Sequence, residues 1–235
     1  MSTSPERIRE NVAKVRSRMA AAAARAGRRA EDVQLVAVTK YVGVDEIRAL
    51  AAAGCTDLGE SRPQQLWERA AEVCDLPVRW HMIGHMQRNK VERTLPLVAM
   101  IHSLDSLRLA EAIHAAAGTL GRRVPVLLEV NISRDAAKHG FTPEEIELCL
   151  PKLIGLAQIE IRGLMCMAAL EGGGAEARRN FTGLRTLRDR LQTSCPATVR
   201  LEELSMGMSG DYEIAVEEGA TLVRVGSALF EKLEG

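Results

Sequence analysis

Short apolar runs alternate along the chain with longer segments in which apolar residues recur at helical spacing. Eight runs have the length and β-branched content of buried strands, at residues 33–40, 56–59, 79–84, 100–103, 125–133, 159–167, 203–208 and 221–230. Helical periodicity marks most of the segments between them, at residues 44–53, 63–73, 106–120, 143–156, 175–191 and 211–218. Such alternation is typical of a parallel sheet covered by helices.

Eight strand–helix repeats predict an α/β protein, a single closed (β/α)8 TIM barrel over residues 1–235. An open, doubly wound sheet is the alternative, but no GxGxxG motif follows the first predicted strand. The alanine-rich stretch 19–26 predicts the end of an extra N-terminal helix, because Gly27 is a good helix C-cap. The three glycines at 172–174 are the best candidate for a hinge, and we interpret them as a loop after the sixth strand.

Charge and cysteine content narrow the class of protein. The chain has 31 Lys and Arg residues in total and 31 Asp and Glu residues in total, so its formal net charge is zero. A zero net charge points to neither a nucleic-acid nor a membrane partner. No apolar run has the length that a transmembrane helix needs. The five cysteines have no CxxC spacing, which favours reduced thiols in a cytoplasmic protein over a zinc site or a disulfide framework.

Lys40 is the first candidate for chemistry, because it ends the first apolar run. An ammonium group at the end of a buried strand loses hydration, and this favours its neutral, nucleophilic form. A neutral lysine can attack a carbonyl group and form a Schiff base. On position alone, the alternative that Lys40 simply extends from the strand into solvent stays open.

Other polar residues lie where the predicted strands end, which is where a barrel carries its active site. Side chains alternate along a strand, so Glu129 and Asn131 share a face with Leu127, and Arg224 shares one with Leu222. If Leu222 points into the barrel, Arg224 does too, and a buried guanidinium needs a hydrogen-bond acceptor. We therefore expect Arg224 to face Lys40 across the mouth of the barrel.

Serines and glycines follow the seventh and eighth strands, where this fold commonly binds phosphate. They are Ser205, Ser209, Gly226 and Ser227. A Schiff-base lysine, a phosphate site and an arginine match the aldehyde, the phosphate and the ring nitrogen of pyridoxal 5′-phosphate (PLP). Because an arginine does not give its proton to the ring nitrogen, the ring would be a weaker electron sink than one paired with a carboxylate.

Four blocks of sequence, at residues 38–40, 80–90, 204–211 and 223–230, resemble the YggS/PROSC family of pyridoxal phosphate homeostasis proteins. The resemblance covers nearly the whole chain in order, and the block WHMIGHMQRNK is long enough to be specific. It implies a barrel similar to the N-terminal domain of alanine racemase and of other fold-type III PLP enzymes. It also implies that Lys40 carries PLP, that Ser205, Gly226 and Ser227 hold the phosphate, and that Arg224 faces the ring nitrogen. The complete set of expected cofactor-binding residues is Lys40, Val38, Asn131, Ser205, Met206, Ser209, Arg224, Gly226 and Ser227.

Two positions depart from the usual family pattern. Ser61 stands where family members commonly have asparagine, and His139 stands between Lys138 and Gly140 in place of the more usual serine. The resemblance suggests a second cofactor contact for Lys138.

His81 and His85 have the spacing of metal ligands on a helix. They span a predicted strand and its exit, however, and no acidic third ligand is evident from the sequence. We therefore favour a structural or cofactor-wall role for both residues over a metal site.

Three functions are compatible with a barrel lysine and a phosphate site. The favoured one is a non-catalytic PLP carrier or buffer, expected to be monomeric and to deliver PLP to apo-enzymes. The second is a racemase of the alanine racemase type, which uses a tyrosine from a separate domain as the opposing base. The sequence ends at Gly235, just after the eighth strand, and neither Tyr41 nor Tyr212 is well placed for that role. The third, a Schiff-base aldolase, would need an acid beside the lysine, and none is evident next to Lys40.

Overall fold

The structure is a computed structural model that describes residues 4–135, 137–168 and 172–232, so Gly235 lies outside the described part. Eight parallel strands form a closed barrel in sequence order, which confirms the predicted fold. The strands are β1 (Gln34–Val38), β2 (Asp57–Glu60), β3 (Arg79–Met82), β4 (Val98–Leu104), β5 (Val124–Glu129), β6 (Ile159–Met165), β7 (Glu203–Ser205) and β8 (Leu222–Val225).

Helices connect the strands and cover the outside of the barrel. They are α1 (Ser4–Arg25), α2 (Val44–Ala52), α3 (Pro63–Glu72), α4 (Val91–Thr94), α5 (Leu107–Thr119), α6 (Pro143–Ile154), α7 (Gly173–Thr193) and α8 (Tyr212–Glu217). Local sequence sets several starts. Thr142 caps α6 in a capping box with Glu145, and Ser106 caps α5 through its hydroxyl. Both helices therefore begin within a residue of the predicted positions.

The N-terminal helix α1 is an addition to the eight repeats. It buries Ile8, Val12, Val15 and Met19, which recur at helical spacing along one face. That face packs against α2 and α8. Asn11 on the same helix donates hydrogen bonds to the carbonyl oxygens of Leu229 and Glu231, which fastens the end of the described chain. The predicted extra helix is thus confirmed.

Two hydrophobic layers divide the core. The larger layer fills the space between strands and helices, and a small inner cluster fills the barrel itself with Val36, Met100, Leu127, Met165 and Leu222. Because Leu222 points inward, Arg224 on the same face does as well, and its side chain is buried. This confirms the expectation drawn from strand alternation.

Several predicted strands end earlier than their apolar runs. β1 stops at Val38, β5 at Glu129, β7 at Ser205 and β8 at Val225. The residues beyond these ends form loops at the carboxyl end of the barrel, which we call the rim.

The short helix α4 is an element that the sequence did not predict. It is flanked by 3-10 turns at Arg88–Lys90 and Leu95–Leu97. The glycine stretch is only partly a loop, since Gly172 has a φ of 94° and caps α7, which begins at Gly173. All five cysteines are free. None of the helices in the described ranges has both the length and the apolar character of a membrane span.

Candidate functional site

Lys40 lies at the rim, two positions past the end of β1, and is half-buried. The expectation that it ends a buried strand is therefore wrong in detail: the strand stops first, and the lysine lies in the loop that follows. Its Nζ lies 4.7 Å from the centroid of the Tyr41 ring, and Tyr41 is 84% exposed. The amine is thus placed between the barrel interior and solvent, where a soluble carbonyl compound can reach it.

A buried ion pair holds the backbone on both sides of Lys40. Glu60, which is fully buried at the end of β2, pairs with Arg69 on α3. The hydroxyl of Thr39 donates to Glu60 Oε2 over 3.3 Å, and Arg69 Nη2 donates to the carbonyl oxygen of Val42 over 2.8 Å. The ion pair therefore fixes the loop from residue 39 to residue 42, and with it the position of the lysine.

The loops after β7 and β8 meet in an arrangement that we call the cradle, made by Ser209, Gly226 and Ala228. The Oγ of Ser209 accepts hydrogen bonds from the backbone N–H of Gly226, at 3.2 Å, and of Ala228, at 3.3 Å. Both distances are long for an N–H to hydroxyl hydrogen bond. The two amides converge on one oxygen atom, as they would on an oxygen of a bound anion.

Glycine is required in the turn that leads into the cradle. Gly207 has a φ of 93°, and a Cβ on it would lie 2.5 Å from the Cβ of Ala215. The following residues are held by Asp211, whose Oδ1 accepts the N–H of Met208 over 2.6 Å. The turn brings Ser209 back over the end of β8. On the other side of Gly226, Val38 lies within 3.3 Å of where a Cβ would be.

Arg224 is buried in the barrel mouth with two hydrogen bonds. Its Nη1 donates to Ser205 Oγ over 2.6 Å, and its Nη2 donates to the carbonyl oxygen of Cys166 over 2.9 Å. Burial lowers the pKa of the guanidinium, and nearby Cys166, Glu129 and Asp211 oppose that effect. Arginine nevertheless stays protonated in proteins, so the mouth contains a fixed positive charge.

Ser205 and Met206 are placed differently from the phosphate-site expectation. The Ser205 hydroxyl is fully buried inside the barrel, where it bonds to Arg224 and to Nδ1 of His102. The Met206 side chain packs in the outer hydrophobic layer, and its N–H donates to the carbonyl oxygen of Leu222. The structure therefore assembles the cradle from Ser209 and the start of the loop after β8, which contains Gly226 and the exposed Ser227.

Glu129 also belongs to the site, whereas the sequence indicated only that it shares a strand face with Leu127. It is 4% exposed at the end of β5. Burial, reinforced by repulsion from Asp105, raises the pKa of its carboxyl to about 7, despite the opposing effects of Arg224 and His85. Near neutral pH the mouth therefore contains a carboxyl group that exchanges a proton easily.

His102 was also missed. It shares the inner face of β4 with Met100, so strand alternation contained the signal that would have found it. Burial, together with His81 and Arg224, holds the pKa of the His102 imidazole well below its usual value. The ring is therefore neutral.

His81 and His85, which have the spacing of metal ligands, lie in different parts of the barrel. His81 lies inside the barrel, bonded to Asp57 and His102, whereas His85 lies at the rim. The acidic neighbour that the sequence did not reveal is Asp105, whose Oδ2 is 2.6 Å from His85 Nδ1. His139, the family departure, stacks on His85 with ring centroids 4.3 Å apart and planes inclined by 16°.

Ligating atoms of these three rim residues, His85, Asp105 and His139, approach one another closely enough to reach one ion. The stacked rings, however, keep their nitrogen lone pairs in nearly parallel planes, which do not converge on a single centre. This geometry favours the interpretation of the rim histidines as a wall of the site.

The loop after β5 is organised by Asn131, which belongs to the expected set, and by Lys138, for which the resemblance suggests a second cofactor contact. Asn131 donates from Nδ2 to the carbonyl oxygen of Asp135 over 2.8 Å. Lys138 donates to the carbonyl oxygen of Ala168 over 2.7 Å, which ties this loop to the end of β6. In the structure both side chains therefore hold the rim together, and a cofactor contact for either residue stays a prediction.

The chain is similar to known proteins over most of its length. Residues 4–233 match the family of alanine racemase N-terminal domains. The pyridoxal phosphate homeostasis protein of Aquifex aeolicus is 37% identical over 221 residues, covering 94% of this chain and 96% of that protein. The one from Deinococcus radiodurans is 41% identical over 211 residues, covering 89% and 94%.

Solved structures extend the comparison. PipY of Synechococcus elongatus, with PLP bound, superposes with a TM-score of 0.86 at 41% identity, covering 95% of this chain and 99% of that one. Alanine racemase of Clostridium difficile in complex with cycloserine gives a TM-score of 0.73 at 18% identity, covering 87% of this chain and 56% of that one. At that identity the second likeness concerns the fold alone.

Proposed function

Because the chain belongs to the family of alanine racemase N-terminal domains, and within it to the pyridoxal phosphate homeostasis proteins, we propose that it binds PLP and buffers the supply of this cofactor. PLP would be held as a Schiff base on Lys40, with its phosphate in the cradle and its ring nitrogen at Arg224. The observation that carries this proposal is that the lysine, the cradle and the buried arginine all lie at the carboxyl end of the barrel.

The donors at the rim suit the three ends of the cofactor. The aldehyde of PLP supplies the carbonyl group with which a lysine amine condenses. The Gly226 and Ala228 amides converge on one oxygen position, which suits a phosphate oxygen, while the Ser209 hydroxyl can turn and donate to the same group. Arg224 is donor-only, which suits a pyridine nitrogen that accepts a hydrogen bond.

A carrier role is supported better than a racemase role. Racemisation through PLP needs a second base on the face opposite the lysine. Tyr41 stands beside Lys40 and contacts its ammonium group, and Tyr212 is 2% exposed at the start of α8. Neither tyrosine opposes the lysine across the rim. Lys40 is half-buried beside the exposed Tyr41, so water and free PLP can reach its amine, which suits a protein that takes up and releases the cofactor.

The first experiment fixes the cofactor to the protein. Purified protein incubated with PLP should turn yellow, and borohydride reduction followed by peptide mapping should place the label on Lys40. Lys40→Ala should lose the label, whereas Lys152→Ala, which removes an exposed lysine on α6, should keep it. Absence of colour and label in the unaltered protein would refute the proposal.

A second experiment separates the carrier from an enzyme. Loaded protein should transfer PLP to an apo-enzyme, with activity regained at a rate that follows PLP release. Amino-acid racemisation should stay at background. Turnover that disappears in Lys40→Ala would instead establish the racemase function.

The proposal includes a monomeric state and a cytoplasmic location, which gel filtration and cell fractionation test directly.

A further inference from the structure

A continuous set of buried side chains crosses the interior of the barrel beneath the rim. Arg224 Nη1 lies 2.6 Å from Ser205 Oγ, and Ser205 Oγ lies 2.8 Å from His102 Nδ1. His102 Nε2 then lies 2.9 Å from His81 Nδ1, and His81 Nε2 lies 2.9 Å from Asp57 Oδ1. We call these five residues the interior chain. All five are less than a tenth exposed.

The far end of the interior chain lies at the amino end of the barrel. Asp57 begins β2, and its other carboxylate oxygen accepts a hydrogen bond from Arg79, at the start of β3, over 2.7 Å. Burial alone would raise the pKa of the Asp57 carboxyl, but hydrogen bonds from His81, Arg79 and Gln34 outweigh it and lower the pKa to about 2. A fixed negative charge thus lies at one end of the chain and the positive charge of Arg224 at the other.

One direction of the hydrogen bonds satisfies both ends of the interior chain. A carboxylate only accepts, so Nε2 of His81 must carry a hydrogen and donate to Asp57. If that is the only hydrogen on the His81 ring, Nδ1 accepts, and His102 donates to it from Nε2. Since His102 is neutral, its Nδ1 accepts from the hydroxyl of Ser205. Arg224 in turn donates to the oxygen of Ser205, so each link has one donor and one acceptor.

A charged His102 would break this order. Both of its ring nitrogens would then donate, and the Ser205 oxygen would receive hydrogens from His102 and Arg224 together. A charged His102 would also place a second positive charge near Arg224, with only the Ser205 hydroxyl between the two in a buried site. The ordered, neutral arrangement avoids both costs.

We propose that Ser205, His102, His81 and Asp57 are positioning residues, which orient Arg224 and polarise it so that the ring nitrogen of bound PLP stays unprotonated. This rests on the proposed function, in which Arg224 faces that nitrogen. Each hydrogen bond in a connected series strengthens the next, and the low dielectric of the barrel interior enhances the effect. The negative charge of Asp57 therefore makes the Ser205 oxygen a stronger acceptor for Arg224 Nη1.

The first test concerns the chain itself and needs no cofactor. In cofactor-free protein labelled with nitrogen-15, the imidazole signals of His81 and His102 should show hydrogen on Nε2 and a bare Nδ1 in both rings. A signal from a protonated Nδ1 on either ring would overturn the proposed direction. This outcome is independent of whether Lys40 binds PLP.

The second test uses loaded protein and PLP labelled with nitrogen-15 in its ring. Ser205→Ala removes one oxygen and little volume, so the fold should survive. The ring-nitrogen signal should move, and PLP should dissociate about tenfold faster, because Arg224 is no longer held in the orientation in which it donates to the ring nitrogen. Borohydride should still label Lys40.

His102 offers a matched pair of variants. In His102→Gln the amide can donate to His81 and accept from Ser205, so the signal and the release rate should stay near their original values. His102→Leu should reproduce the effect of Ser205→Ala. If the loaded variants Ser205→Ala and His102→Leu keep the original ring-nitrogen signal, the positioning role is refuted while PLP binding stands. If even the unaltered protein takes no label, the proposed function fails, and the cofactor-free measurement still decides the direction of the chain.

Discussion

Gly84 and Ser61 touch through their backbones at the rim: a Cβ on Gly84 would lie 2.3 Å from the carbonyl oxygen of Ser61. Ser61 follows β2, and Gly84 follows β3, the next strand of the barrel. The contact brings the two loops together just past the paired strand ends. It also explains a glycine in the WHMIGHMQRNK block, because any larger residue would push the loops apart.

Gly84→Ala should therefore destabilise the protein by about 1–3 kcal/mol, the usual cost of forcing extra atoms into a packed site. Urea unfolding followed by circular dichroism would measure it. Gly118→Ala is the matched control, because it lies inside α5 with its nearest neighbour at 3.9 Å and should be neutral or stabilising. Equal stabilities for the two variants would contradict the close contact.

The Glu60–Arg69 ion pair gives a prediction about the reactive lysine. Arg69→Met removes the partner of a fully buried carboxylate and should cost about 3 kcal/mol of unfolding free energy. It also frees the carbonyl oxygen of Val42, so the loop that carries Lys40 should become mobile and form the Schiff base more slowly. Stopped-flow absorbance after mixing with PLP measures that rate.

The control for this effect is Arg48→Met, which breaks an exposed ion pair with Asp75 between α2 and the end of α3. Exposed pairs contribute about 1 kcal/mol or less, so both stability and the Schiff-base rate should hardly change. A loss of stability in Arg69→Met with an unchanged rate would show that the ion pair does not position Lys40.

The fold was predictable because short, mostly apolar segments alternate with helical ones, and because capping residues such as Thr142 mark helix starts. The ends of the strands were not. In the run 125–133, residues beyond Glu129 stay partly apolar although they have left the sheet, since Val130 and Ile132 still pack under the loop. An apolar residue indicates a buried position, and at the rim side chains stay buried beyond the point where the strands stop pairing.

The site was predictable only in part. Arg224 stood out because charged residues are rare on strands that are buried on both sides, and Lys40 stood out because it follows such a strand closely. Ser205 was assigned to the phosphate because a serine after a strand and before a glycine turn matches that pattern. A phosphate contact for Ser205 stays a prediction. In the structure its hydroxyl bonds to Arg224 and to His102, and His102 is 103 positions away in the chain, so only the closed barrel brings these two residues together. No local sequence pattern contains that relationship.

Glu129 makes a prediction about pH. Its carboxyl has a pKa of about 7 in the folded protein, against an ordinary value of 4.5. Between these values the folded state holds a proton that the unfolded state has lost, so the stabilising contribution present below pH 4.5 disappears as the pH rises through about 7. Glu129→Gln has no such titration. Without cofactor, the stability of this variant relative to the unaltered protein should therefore rise by about 2 kcal/mol from about pH 5 to about pH 8.

Unfolding by urea at several pH values measures this difference. Glu111→Gln, on α5, is a suitable control for removing a carboxylate away from the rim. A change in this control as large as that in Glu129→Gln would show that the effect does not come from the position of Glu129. A Glu129→Gln profile parallel to that of the unaltered protein would mean that Glu129 titrates normally.

The cradle predicts selectivity for the phosphate group. Ser209→Ala removes the oxygen on which the Gly226 and Ala228 amides converge, and the hydroxyl that would donate to a bound phosphate. PLP affinity should fall about tenfold, as expected for the loss of a hydrogen bond to a charged group. Pyridoxal, which has the same ring and aldehyde but no phosphate, should bind equally to the variant and to the unaltered protein. Titration of the Schiff-base absorbance with each compound gives both affinities. If Ser209→Ala weakened both compounds by the same factor, the serine would be acting on the lysine or the ring, and the phosphate would have to be held elsewhere on the rim.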